Sequence, residues 1–303
     1  MSLARPDIAT TVRNYISLTK PRIISLLLIT TVPAMVVAEK GWPSTWLVLA
    51  TVIGGSLSAA GANAINCWYD RDIDAVMRRT QRRPLATGEI QPLHGLVFGI
   101  TLGVVAFGFL WATTTLAAAL LALAALLFYV LIYTVWLKRR TPQNIVIGGA
   151  AGAAPPVLGW TAVTGSVHPH ALLLFLIIYA WTPPHFWALA IARRNDYARV
   201  DIPMLPVTHG VEFTRLHVLL YTVILALVTT LPFITGMSGL IYLGAAIVLN
   251  ARFLLHALVL KLTRRDELPM RVFRFSISYL MWLFLALLVD HYLPTTQGAA
   301  VLG

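Results

Sequence analysis

The chain has 303 residues, of which 58% are hydrophobic and 12% charged, with a mean hydropathy of +0.77. An average soluble domain is about 25% charged, so a soluble fold is excluded: too little polar surface exists to cover so much apolar surface. The net charge of +11 would suit nucleic acid if the basic residues formed one patch, but their spacing along the chain points to membrane topology and to no nucleic-acid partner.

Apolar runs close to the roughly 20 residues that cross a bilayer as helix occupy 22–38, 46–66, 95–112, 116–137, 143–163, 171–192, 217–234, 239–260 and 275–292. Lipid offers no partner to an unpaired backbone amide, so each run predicts a helix. The third and fourth runs form one apolar stretch, which Thr113, Thr114 and Thr115 are expected to fold into a tight hairpin. The fold class expected is an all-α polytopic membrane protein of about nine transmembrane helices.

Residues 1–20 are polar and lack the apolar core and small-residue cleavage site of a signal peptide, so they read as an interfacial lead-in to the first span. Cys67 stands alone, which excludes an intramolecular disulfide and a cysteine metal cluster. With a cytoplasmic N-terminus, the inside segments hold Arg5 to Arg22, Arg71 to Arg83, Lys138 to Arg140, Arg193 to Arg215 and Lys261 to Arg274. Only Lys40 and Arg252 of the 23 Lys and Arg residues fall elsewhere. The positive-inside rule then sets the N-terminus inside and the C-terminus outside.

Residues 1–303 read as one membrane-embedded domain. Its two long inside loops, 67–94 and 193–216, each follow the second helix of a four-helix unit. This suggests pseudo-repeats at 20–140 and 141–262 with a ninth helix appended at 272–293. Gly95, Gly99 and Gly103, and likewise Gly148 and Gly152, recur at the four-residue spacing that lets helix backbones approach. The pairs Pro155-Pro156 and Pro183-Pro184 are expected to bend their spans and free carbonyls.

Chemistry concentrates at Asn66, Asp70 and Asp74. At i, i+4 and i+8 they share one helix face, about 6 Å apart along the axis. Oxygen donors in a row suit Mg²⁺, which takes carboxylates, waters and phosphate oxygens; Asp72 falls off that face and reads as solvated. Directly after comes the basic turn Arg78-Arg79-Thr80-Gln81-Arg82-Arg83. An interfacial charge network of acids and arginines is the plain alternative. Carboxylates for metal beside arginines for free phosphate oxygens are also what a diphosphate leaving group requires.

These residues, with Pro84-Leu85 after them, resemble the first signature of the intramembrane aromatic prenyltransferase superfamily. Trp181-Thr182-Pro183-Pro184-His185-Phe186-Trp187, Asp196-Tyr197, Ile202-Pro203-Met204-Leu205-Pro206 and Thr141-Pro142-Gln143-Asn144 resemble, within it, the protohaem IX farnesyltransferase family. The resemblance implies helices around a central cavity in the bacterial cytoplasmic membrane, with the site facing the cytoplasm. It implies farnesyl diphosphate and haem B as substrates and Mg²⁺ on Asn66, Asp70 and Asp74. Lys20, Arg22, Arg79, Arg83 and Lys138 would hold diphosphate, and Asn144 would line the substrate site. Downstream partners would be a haem A synthase or a terminal oxidase.

The second signature departs from the superfamily pattern, with Asp196 and Arg199 in place of several aspartates, so a mixed site is expected there. His185, within the sixth span and after two prolines, is expected to face a cavity and to bind or orient haem. Arg252 and His256 share a face at i, i+4 that is expected to meet a haem propionate. Tyr133 is the aromatic expected to stabilise an allylic cation. Two other classes fit in part: a prenyltransferase acting on a quinone precursor shares the diphosphate half, whereas a secondary transporter leaves the aspartates without purpose.

Overall fold

The structure, a computed structural model, describes residues 7–293 apart from the side chains of 22, 23 and 25–28. Arg5 and the Arg22 side chain, both part of the charge argument, lie outside the described residues. The elements in chain order are α1 (Ile8–Thr19), α2 (Pro21–Glu39), α3 (Thr45–Tyr69), α4 (Arg71–Val76) and α5 (Pro84–Thr87). After them come α6 (Pro92–Thr113) and α7 (Leu116–Leu127), which continues as a π-helix (Phe128–Leu137). The rest are α8 (Asn144–Thr164), α9 (Pro169–Ala192), α10 (Arg194–Ala198), α11 (Leu205–Thr208), α12 (Val211–Val228), α13 (Leu231–Ile234), α14 (Leu240–Leu262) and α15 (Leu268–Tyr292).

Eight helices among the described residues are long and apolar enough to cross a membrane. They match eight of the nine expected runs. The other run, 22–38, coincides with α2, of which the apolar stretch Ile29–Glu39 is described. α1 exposes Ile8, Val12 and Ile16, one turn apart on one side, the stripe of a helix lying in the membrane interface.

Lipid tails are as apolar as leucine, so helices here associate through close packing rather than hydrophobic burial. α3 and α6 meet where a Cβ on Gly61 would stand 2.7 Å from the Gly99 carbonyl oxygen and 3.0 Å from Gly103 N. α8 meets α2 through Gly159, whose Cβ would lie 2.6 Å from the Thr31 carbonyl. Gly148 makes room for the Tyr133 ring, whereas Gly152 has nothing within 4 Å of its Cβ position. The close contact expected of Gly152 falls instead on Gly149, against Thr182 at 2.9 Å. α9 packs against α8, α12 and α15, and α15 also touches α2, so the last span closes the bundle onto the second helix.

The threonine hairpin forms as expected. Thr114 breaks the helix, and the Thr115 hydroxyl caps α7 by accepting from Ala118 N at 3.1 Å. Both proline pairs lie inside uninterrupted helices, α8 and α9. At the far end of the bundle, buried Asp290 of α15 accepts from Gly239 N and, at 3.1 Å, from Tyr242 N. It satisfies orphan amides at the N-terminus of α14.

Candidate active site

α3 ends at Tyr69, and α4 begins at Arg71 with Asp70 between them. The ladder is therefore carried by two helices, yet its i→i+4 spacing survives: Asp70 N donates to Asn66 O at 2.9 Å and Asp74 N to Asp70 O at 2.8 Å. Asn66, Asp70 and Asp74 are 3%, 0% and 3% exposed. Charges so deeply enclosed need partners, and the surrounding elements supply them.

Lys20, at the junction of α1 and α2, reaches Asn66 Oδ1 at 2.7 Å. It holds left-handed backbone angles, φ 53° and ψ 58°, which turn the chain from the interfacial α1 into α2. Asn66 Nδ2 donates to Asp70 Oδ2 at 2.8 Å and to Thr134 Oγ1 at 3.1 Å. Lys138, just past the π-helix, pairs with Asp70 Oδ2. Arg83 pairs with Asp74 Oδ2 at 2.6 Å, and the Thr80 hydroxyl donates to the Asp74 carbonyl at 3.1 Å. Desolvation pushes the Lys20 ammonium down to about 8, so an incoming anion would find this cation strengthened by its own arrival.

Arg139, which sequence reasoning passed over, is a further partner. Its guanidinium grips Asp72 with two bonds of 2.7 Å, approaches Asp70 Oδ1 to 3.7 Å and lies 4.8 Å over the Tyr69 ring. Asp72 is off the ladder as expected, but it is paired as well as solvated, and Arg139 holds its carboxyl below the usual carboxylate range. A cluster of cations beside the aspartates is legible in the run Lys138-Arg139-Arg140; which member reaches which acid is not.

The donor set fits Mg²⁺ on its chemistry: two carboxylates and an amide, with Asp70 Oδ1 buried and without a hydrogen-bond partner. Among the described residues no group of three or more His, Cys, Asp or Glu side chains is gathered for a metal. The set therefore leaves coordination positions for water or phosphate, as Mg²⁺ sites commonly do.

Tyr133 lies in the π-helix beside Tyr129, ring centroids 5.2 Å apart. The i→i+5 pattern continues through Lys138, whose N donates to the Tyr133 carbonyl at 2.9 Å, and so sets the heading of both residues. Arg79 is exposed, with Tyr133 and Tyr197 in electrostatic reach. Asn144 begins α8 fully buried, donating to Thr141 O at 2.6 Å while its Oδ1 has no partner.

Asp196 and Arg199 lie on and just after the short α10, half-buried and exposed respectively, with no ion pair between them among the described residues. The second loop joins the first through apolar side chains, because Ile73 and Met77 belong to one cluster with Tyr197, Ile202 and Met204. His185 is 6% exposed. It stacks on Trp181 at 4.1 Å and on Phe273 at 4.5 Å, with Nδ1 2.6 Å from Ser276 Oγ. α9 runs uninterrupted past its prolines, and this imidazole lies buried in an aromatic cage.

The sequence pattern of the UbiA prenyltransferase family matches residues 27–288. The chain is similar to the protoheme IX farnesyltransferase of Alkalilimnicola ehrlichii, 54% identical over 288 residues that cover 95% of each chain. It is also similar to the protoheme IX farnesyltransferase of Methylococcus capsulatus, 51% identical over 281 residues, 93% of this chain and 94% of the relative. Among solved structures it is similar to a UbiA homologue from Archaeoglobus fulgidus bound to GPP and Mg²⁺. That likeness has a TM-score of 0.65 at 17% identity, covering 90% of this chain and 99% of the other, and it speaks for the fold.

Proposed function

The chain belongs to the UbiA prenyltransferase family, and from that membership we propose that it transfers the farnesyl group of farnesyl diphosphate to a vinyl group of protohaem IX, giving haem O and diphosphate. The observation that carries this reading is a buried row of acids faced by Lys20, Arg83 and Lys138, in a chain more than half identical to protoheme IX farnesyltransferases.

The bond from farnesyl C1 to the diphosphate oxygen breaks, and its electron pair leaves with the diphosphate. The vinyl group forms the new carbon–carbon bond. Water then adds to the carbon left electron-poor and loses a proton, completing the hydroxyethylfarnesyl substituent. Mg²⁺ held by Asn66, Asp70 and Asp74 would supply charge neutralisation at the leaving diphosphate.

The chain's own residues do the rest. Lys20, Arg83 and Lys138, with Arg79 and Arg139 near them, place positive charge where the leaving oxygens develop negative charge, and Arg22, whose side chain lies outside the described residues, is the further cation expected to hold diphosphate. Preorganised charge of that kind is the main way such a step is accelerated. Burial of the acids keeps bulk water from the cation. Tyr133 presents a ring on the same side, and Asn144, with its unpartnered oxygen, serves as a substrate contact. Asp196 and Arg199 supply a second polar contact to diphosphate from α10.

The protein is an integral membrane protein. The asymmetry of its basic residues supports the bacterial cytoplasmic membrane with the aspartates on the cytoplasmic side. Haem O would pass to a haem A synthase or a terminal oxidase. The test is product analysis: haem extracted from cells with the gene contains the farnesylated species, and haem from cells without it does not. Prenylation of labelled 4-hydroxybenzoate instead of haem would overturn the acceptor.

A further inference from the structure

Arg252 lies near the middle of α14, about 15 Å along the axis from the cytoplasmic end at 1.5 Å per residue. Val248, Leu255 and Val259, its neighbours on that side, are exposed, so the arginine stands in a stripe that faces lipid. A charge at that depth is costly and calls for a partner. Among the described residues no carboxylate pairs with it. The acids at the cytoplasmic ends of α12 and α15 are engaged elsewhere, Glu212 by Arg215 and Arg264 and Glu267 by Arg271.

Arg252 instead sits 5.1 Å over the Phe275 ring, and His256, one turn on, meets the same ring at 4.8 Å. Arg252 and Arg271 are the charged neighbours of His256. The lipid-facing side where α14 meets α15 is thus cationic beside an aromatic ring. It is separate from the His185 cage: Phe273 faces His185, and Phe275, two residues on, points about 200° away around α15.

We propose that this face docks the propionate carboxylates of a porphyrin held in the bilayer, with the disc beside Phe275, as a station for haem outside the reaction centre. The proposal rests on haem being the acceptor. A phospholipid phosphate lies at the membrane surface, farther from Arg252 along the helix than an arginine side chain extends. A porphyrin carries its carboxylates on the edge of an apolar disc that can sink beside the ring.

The test uses purified full-length protein in phosphatidylcholine nanodiscs, titrated with ferric protohaem and with its dimethyl ester, for wild type, Arg252→Gln and Arg252→Lys. Removing a charge from a lipid-facing stripe leaves folding intact. The expected result is that the preference of wild type for the acid over the ester falls roughly tenfold or more in Arg252→Gln and is retained in Arg252→Lys. A preference that stays at the wild-type value in Arg252→Gln overturns the proposal. So does loss of a co-purifying anionic phospholipid in that variant with haem preference unchanged. If wild type binds no haem, the acceptor reading itself fails; if wild type makes haem O and Arg252→Gln keeps the full preference, only the docking site fails.

Discussion

The Nδ1 of His185 and the hydroxyl of Ser276 lie 2.6 Å apart, tying the interior of α9 to α15. With Trp181 and Phe273 stacked on its faces, the imidazole is placed as a packed, hydrogen-bonded core group. His185→Ala should therefore lower stability in detergent by about 2–4 kcal/mol, and Ser276→Ala by about 1–3 kcal/mol through the unpaired buried nitrogen. The optical spectrum of bound haem should be unchanged in both. A shifted spectrum in His185→Ala at wild-type stability would return this residue to the haem site.

Asp74→Asn keeps the volume of a buried side chain while removing its charge. Transfer should drop at least about a hundredfold, the scale of losing a charge-stabilising group, while the protein stays in the membrane, at some cost in stability because Arg83 loses its charged partner. Asp70→Asn should behave alike, although it strands Lys138 and costs more stability, about 3–5 kcal/mol when a buried pair is broken. Near-normal turnover of either purified variant at saturating Mg²⁺ would sink the assignment.

Arg83 holds Asp74 at 2.6 Å and is also placed to meet diphosphate oxygens. Arg83→Ala should weaken farnesyl diphosphate binding by roughly ten- to a hundredfold, as expected for a lost charge-assisted contact, and leave haem binding nearly untouched. Parallel titrations with the two ligands check this; equal losses would make the arginine structural.

Gly61 and Gly152 form a matched pair. A Cβ on Gly61 would collide with the backbone of α6, so Gly61→Ala should destabilise by about 1–3 kcal/mol. Gly152→Ala meets nothing within 4 Å and should be neutral or stabilising by up to about 1 kcal/mol through helix propensity. Unfolding of both variants in mixed detergent micelles measures the difference, and similar stabilities would contradict the α3–α6 packing.

Spans and hairpin were legible because length and hydropathy alone decide what lipid accepts. The aspartate ladder was legible because side chains four residues apart stay neighbours even across the break at Asp70. Arg139 escaped because adjacent basic residues read alike until the helix before them sets their headings. The close approach at Gly61 was missed because only half of the contact, Gly99 and Gly103, carried the four-residue spacing. Asp290 gave no signal, since an acid near a span's end and an acid capping another helix look the same in one dimension. The exposure expected of His185 failed because paired prolines do not by themselves open a helix whose faces are packed by α8, α12 and α15.

The π-helix at Phe128–Leu137 turns through backbone bonds five residues apart, such as Lys138 N to Tyr133 O at 2.9 Å, and the Thr134 hydroxyl donates to Tyr129 O across the same span at 2.9 Å. Its consequence is arithmetic. The wider i→i+5 turn takes up an extra residue within the helix, so Lys138 and Arg139 leave it already headed toward Asp70 and Asp72.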